Sequence, residues 1–440
     1  MKKHRIGICL CCLFMIGCLA GCSAAETVGA GNAADQALIQ KEAPKAQQTA
    51  APAPLTVEPQ STPEPTVTPE PEPTPMTITI GAIGDIMMMQ SQVNGAYVEE
   101  KDAYDFSRSF AGMQGMMRSV DLMCGNFETT LAGKDAGYSK KKTDAERVDT
   151  FNAPDSLIDT LKDVGFDFLS TGNNHALDRK IDGLYRTLDV LDEKKIFHKG
   201  TARSNEERDT PLIMDVNGIK IGMVAATEII NKHEKWMTAE EAEYAINRLS
   251  INTERLIEEV KACRAAGAEY IIAYPHWDKE HKKAPNDRTR ACAKLLLESG
   301  VDLILGSHPH VVQPIEYLTV ERDGQPYTGL IVYSMGNFIS NMAPGPLKYG
   351  LYVQLSLEKD VDGTVKLIDA SYMPTYCFYR SIDSQYIHQV VPAFADLSLI
   401  RSYSELTDAE LQEAQNAREH VISVCGTDAI SVMEDSCWIN

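Results

Sequence analysis

The chain lacks a stretch that would cross a bilayer comfortably: its most apolar run, Ile6 to Ala20, has 15 residues where a helical span needs about 20. It also lacks cationic excess. Lys and Arg number 42 against 62 Asp and Glu, a formal net charge of −20 in 440 residues, which excludes nucleic acid as a partner. An anionic polymer would be repelled on average, so contact with one needs a local cationic or metal-bearing pocket. Regular cysteine spacing is missing as well. Past residue 22 there are Cys124, Cys263, Cys292, Cys377, Cys425 and Cys437, irregularly placed, which argues against a disulfide framework. Three fall in apolar strand or helix patterns where a buried free thiol is ordinary, and Cys425 with Cys437 is the one pair that could join. No internal repeat is present.

What is there begins with a processing signal. Lys2, Lys3 and Arg5 precede the apolar run, the layout of a secretory leader. The run ends in "LAGC", Leu19 to Cys22, similar to a bacterial lipoprotein cleavage box. That likeness makes residues 1–21 the signal and Cys22 the lipid-bearing first residue of an extracytoplasmic, membrane-anchored chain. Removing three basic residues from 42 leaves 39 against 62 acidic ones, a net −23. Residues 22–75 follow, and residues 51–76 alone hold nine prolines. Such a Pro/Thr/Glu-rich tract cannot bury enough apolar surface to fold and prefers an extended polyproline conformation, so it reads as a disordered tether.

From Met76 onward short apolar runs alternate with amphipathic stretches, the pattern of an α/β domain over residues 76–380. Strands are expected in "MTITIGAIGD", "VDLMCGNFE", "FDFLS", "GIKIGMVAAT", "AEYIIAYPHW", "VDLILGSHPH" and "GLIVYSMGNF", and a hairpin around Asp362 and Gly363. Helices are expected in "APDSLIDTLKDVG", in "IDGLYRTLDVLDEKK", within "NRLSINTERLIEEVKACRAAG" and in "DRTRACAKLLLESG". Residues 381–440 are polar and read as a helical C-terminal extension, with Thr407 and Glu410 placed as a capping box.

Six of the expected strands end in polar motifs: "GDIM" (84–87), "GNFE" (125–128), "STGNNHALD" (170–178), "PHWDKEH" (275–281), "GSHPH" (306–310) and "SMGNF" (334–338). In open α/β sheets the ligand crevice lies beyond the carboxyl ends of the strands. One such ending means little, whereas six carrying Asp, Asn, Glu or His point to a single site. His308 and His310 flank Pro309, and an extended backbone there would turn both imidazoles to one side. Imidazoles with carboxylate and amide oxygens make a shell for a divalent ion, with manganese, zinc and iron all suited to it. His281 and the lysines around it read as a solvated face.

These motifs, in this order, resemble the bacterial capsule-synthesis proteins associated with poly-γ-glutamate and, more distantly, the calcineurin-like metallophosphoesterases. The resemblance covers roughly Thr77 to Ser340. It implies a two-sheet sandwich flanked by helices, a metallophosphatase-like α/β fold with a metal cleft at the strand ends. Carried over residue by residue, it makes Asp85, Glu128, Asn174, His276, His308 and His310 metal ligands. It gives His175 the protonation of a leaving group and Glu280 the place of a second base. Asn126, Asn173, Trp277 and Asn337 are expected to face the substrate. The pattern also departs from the phosphoesterases, with Met87 where they have a histidine and "GNFE" in place of "GDxxD", so one metal or an altered pair is implied. Asp278 stands where glycine is more usual and could add a ligand or close the pocket.

Three functions remain open on these residues. The chain could be a metal-dependent hydrolase or transferase acting on a cell-surface polymer. It could be a non-catalytic, polymer-binding subunit of an export complex with membrane partners, or an extracellular phosphoesterase.

Overall fold

Two sheets carry the fold, and the period-2 alternation of their strands explains how they stack. The computed structural model describes residues 74–139, 150–249, 253–382, 385–403 and 406–438, all within the unit Glu70–Asn440. The expected signal, Cys22 and nearly all of the tether lie outside the described residues.

The first sheet runs in the order Gln385–Pro392, Val365–Ile382, Tyr349–Lys359, Met76–Ile86, Leu122–Phe127, Phe168–Ser170, Phe197–Lys199. The last four strands are parallel, as connections through helices such as Ser156–Asp163 and Lys180–Glu193 require. Short Asn337–Ile339 pairs with the end of Met76–Ile86. The second sheet runs Ile315–Arg322, Gln325–Val332, Leu303–Leu305, Tyr270–His276, Ile219–Thr227, Leu212–Val216, and its four middle strands are parallel.

Side chains of the second sheet sort into two cores by parity. Ile221, Met223, Ile272, Tyr274, Leu303, Leu305, Leu330 and Val332 join Ile80, Ile83 and Leu169 of the first sheet in one buried cluster between the layers. Their neighbours Val224, Ile271, Ala273, Ile304 and Ile331 point the other way, into a second cluster with Leu256 and Val260 of helix Thr253–Ala265 and Leu296 and Leu297 of helix Asp287–Glu298. The expected two-sheet, helix-flanked sandwich is what forms. Each core aliphatic contributes about 1.5–3 kcal/mol by leaving water.

Differences from expectation lie at the edges of elements. The segment from 381 begins as a strand rather than a helix: Gln385–Pro392 pairs antiparallel with the preceding strand, Thr375 opposite Pro392, and buries Val390 and Val391. Ladder pairing and apolar burial there outweigh the polar composition that suggested a helix. Helices Leu397–Tyr403 and Asp408–Cys425 follow, the latter capped by Thr407 and Glu410 as expected. Cys124, Cys263, Cys292, Cys377 and Cys425 are free, and the side chain of Cys437 lies outside the described residues. Among the described residues no helix is long and apolar enough to cross a membrane.

Ile272 is fully buried between the two sheets. Replacing it by alanine is expected to lower the unfolding free energy by about 2–5 kcal/mol with little change in the urea m-value, as measured by equilibrium denaturation followed by circular dichroism.

Candidate metal centre

The carboxyl ends of the parallel strands of both sheets meet at one point. Met76–Ile86 delivers Asp85, Leu122–Phe127 delivers Asn126 and Glu128, and the loop after Phe168–Ser170 delivers Asn173, Asn174 and His175. From the second sheet, Tyr270–His276 ends in His276, and the turn after Leu303–Leu305 carries His308 and His310. Two glycines allow so close an approach. A Cβ on Gly84 would stand 2.0 Å from the carbonyl oxygen of Gly336, and one on Gly306 would stand 2.1 Å from that of Tyr333.

At the centre lies Glu128, fully buried. Its Oε1 has no hydrogen-bond partner and is ringed by imidazole Nε2 atoms: His276 at 3.7 Å, His310 at 3.9 Å and His175 at 4.0 Å. These separations are too long for hydrogen bonds and suit ligands arranged around a shared cation. Possible donor atoms of Glu128, His308 and His310 lie within 4.8 Å of one another, as do those of Asp85, Glu128 and His276. His308 Nδ1 is a second buried atom without a partner. Two orphaned acceptors facing a ring of nitrogens and oxygens fit a divalent ion, which is the test the expected ligand set has to meet.

The remaining polar atoms fix the ring orientations. Asn126 Nδ2 donates to Asp85 Oδ1 at 2.8 Å. His310 Nδ1 lies 3.1 Å from Asp85 Oδ2 and 3.0 Å from Asn337 Oδ1. His276 Nδ1 meets Ser307 Oγ at 3.0 Å, and its Nε2 meets Asn174 Oδ1 at 2.9 Å. Asn173 donates to the Phe127 carbonyl at 2.8 Å while its Oδ1 accepts from the His175 amide at 3.1 Å.

Charge states follow from the burial. Removal from water, then the charge of Asp85 and a hydrogen bond with it, push the Glu128 carboxyl well above its usual range. Burial and the neighbouring imidazoles hold His276 and His308 well below the ordinary histidine value, leaving them neutral as ligands must be. Burial works in the same sense at His310, but the hydrogen bond to Asp85 and the charge of Asp85 outweigh it, and its pKa is raised.

One expectation needs correction. The backbone at the two histidines is not extended: His308 has φ 99° and His310 φ 59°, so each imidazole is aimed by a left-handed turn that costs on the order of 1 kcal/mol or more per residue. Asn126, Asn173, Trp277 and Asn337, expected to face the substrate, are all fully buried. The three amides brace the cluster, and Trp277 packs in the outer core with its Nε1 donating to the Tyr333 carbonyl at 2.9 Å. Asp278, for which either role was open, has its carboxylate engaged within its own loop. Its carboxylate accepts from the Lys279 and Asn286 amides, at 2.8 and 3.1 Å, and so ties the loop to the N-terminus of helix Asp287–Glu298.

Glu280 is exposed, and its charge is among the influences that raise both Glu128 and His310. Asp178 is a residue the motif reading passed over. Its Oδ2 lies 2.7 Å from His175 Nδ1, and the same oxygen accepts from the Phe151 amide at 2.6 Å. The ring of Phe151 stacks on His175 with centroids 4.1 Å apart. Only the three-residue spacing in "HALD" hinted at this pair. Another trio, Asp192, His198 and Glu207, lines a separate cavity of about 590 Å³, but Arg203 already reaches both carboxylates, at 2.6 and 2.5 Å.

The profile of the family described as bacterial capsule synthesis protein PGA_cap matches residues 79–342. The chain belongs to that family. Among relatives, this PGA_cap chain is 28% identical over 284 residues to the PGA biosynthesis protein CapA of Bacillus subtilis (strain 168), covering 64% of this chain and 68% of that one. It is 25% identical over 290 residues to the capsule biosynthesis protein CapA of Bacillus anthracis, covering 64% of each. The chain therefore spans about two thirds of the length of these relatives. A solved structure, the calcineurin-like phosphoesterase YfkN from Bacillus subtilis, aligns with 79% of this chain and 99% of that one at 16% identity and a TM-score of 0.39.

Because the Glu128 carboxyl holds its proton above the usual carboxylate range, cation uptake should displace a proton. Calorimetric titration of chelator-treated protein with manganese or zinc in buffers of different ionisation enthalpy is expected to show net proton release, and Glu128→Gln should remove that release together with tight binding.

Proposed function

We propose that this PGA_cap protein is a membrane-tethered, extracytoplasmic component of poly-γ-glutamate capsule synthesis or export, and that its buried cluster is a divalent-metal centre for hydrolysis or transfer at an amide of that polymer. The observation that carries the reading is Glu128 Oε1, unpartnered and encircled by the Nε2 atoms of His175, His276 and His310. Family membership and the CapA relatives support the capsule assignment. The leader and "LAGC" ending support the tether.

Asp85, Glu128, Asn174, His276, His308 and His310 would hold the ion. When bound, it would polarise a scissile carbonyl or lower the pKa of a water molecule. The chain's own groups do the rest. Asp178 holds His175 by Nδ1, leaving Nε2 turned toward Glu128 and available to pass a proton to the leaving nitrogen. Glu280, solvent-exposed, can take up the proton released by the attacking group. Asn126, Asn173 and Ser307 keep the rings and carboxylates from relaxing out of position.

In the native host, His308→Ala is expected to lower metal content and polymer yield together at normal protein level. His175→Ala should keep the metal and lose the polymer, and unchanged polymer in that variant would favour a binding role over a catalytic one. Cys22→Ser is expected to move the protein from the membrane fraction to the medium or soluble extracytoplasmic fraction, read by fractionation and immunoblot.

A further inference from the structure

The loop that leaves the second sheet after His276 carries "WDKEHKKAPN", Trp277 to Asn286. Lys279, His281, Lys282 and Lys283 are all exposed on it. Among the described residues none of the three lysines has a carboxylate within ion-pair distance. The contrast with the helix that follows is direct, since Arg288 pairs with Glu228, Arg290 with Glu316 and Lys294 with Glu298. On a chain of net charge −20, free cations gathered in five residues are unusual.

The loop is also held in register with the metal cluster. The His281 amide donates to the Pro309 carbonyl at 2.8 Å, which fastens it to the turn bearing His308 and His310. Gln313 Nε2 donates to the Lys282 carbonyl at 2.9 Å. Asp278 and His281 are both in the left-handed region, with φ 73° and 64°, a conformation that persists because these bonds and the Asp278 carboxylate over-determine it. The His281 ring lies 6.4 Å from that of His310. A merely solvated loop would need none of this bracing.

We infer that residues 277–286 form a cationic lip, in which Lys279, Lys282 and Lys283 bind successive carboxylates of an anionic polymer and lay its backbone across the cluster. The inference rests on the reading above that the site serves a poly-carboxylate. It explains how a protein whose overall field repels such a polymer could still engage it: over distances beyond about 8–10 Å the repulsion is screened by salt, and local cations act inside that range.

The test uses the full exported chain and fluorescein-labelled poly-γ-glutamate, with binding followed by anisotropy at low and high salt. One variant combines Lys279→Ser, Lys282→Ser and Lys283→Ser. A control combines Lys101→Ser, Lys220→Ser and Lys261→Ser, exposed lysines elsewhere, and changes the net charge equally. The lip variant is expected to bind about tenfold or more weakly at low salt and to lose most of the salt dependence, with metal content intact, whereas the control stays within about twofold of the parent. Equal weakening of both variants, or none in the lip variant while the parent binds, would overturn the lip alone. A parent chain that does not bind the polymer would overturn the proposed function on which the lip depends.

Discussion

A single carboxylate, taken out of water and left facing three imidazole nitrogens, is the constraint around which the molecule is arranged. Burying Glu128 with its Oε1 unpartnered is costly, and burying it beside Asp85 is costlier. No rearrangement within the cluster relieves this, because Asn126, Ser307 and Asn174 commit the neighbouring groups to other bonds. The structure therefore stores an electrostatic demand that a cation at the same point would satisfy.

Meeting that demand required both sheets. The carboxyl ends of their parallel strands point at the same place, and glycines at positions 84 and 306 let backbones come closer than any side chain would permit. The core between the sheets holds the two sets of ends in fixed relation, so stability and site geometry share one set of contacts. Left-handed backbone occurs there too: Asp278, His281, His308 and His310 are non-glycine residues with positive φ in the two loops that border the cluster. Their left-handed turns are maintained by hydrogen bonds such as that from the His281 amide to the Pro309 carbonyl.

Much of this was legible from residue order. Short apolar runs and helix punctuation located the main strands and helices, and polar motifs at six strand ends singled out Asp85, Glu128, Asn174, His175, His276, His308 and His310, which do converge. Which way the neighbouring amides turn was not legible. An amide next to a ligand in sequence can turn inward or outward, and at Asn126, Asn173 and Asn337 the inward hydrogen bonds were available. Asp178 was overlooked because a carboxylate three residues past a histidine is common in turns. The lysines of "DKEHKK" looked like ordinary solvated charge, and residue order did not show that backbone hydrogen bonds fasten their loop beside the turn carrying His308 and His310.

What the sequence by itself determined is local: the apolar N-terminal run with its "LAGC" ending, the proline-rich tract, the short apolar runs that make two sheets, and the identity of the groups able to ligate an ion. These are legible because each depends on neighbours a few residues away. Only the tertiary structure decided which nitrogen faces Glu128 Oε1, that His308 and His310 are aimed by left-handed turns, that Gln385–Pro392 joins the first sheet, and that the loop carrying Lys279, Lys282 and Lys283 is hydrogen-bonded to the turn bearing the two histidines. Those outcomes depend on atoms brought together from positions as far apart as Asp85 and His310, where burial and the competition for hydrogen bonds, rather than local preference, set the result.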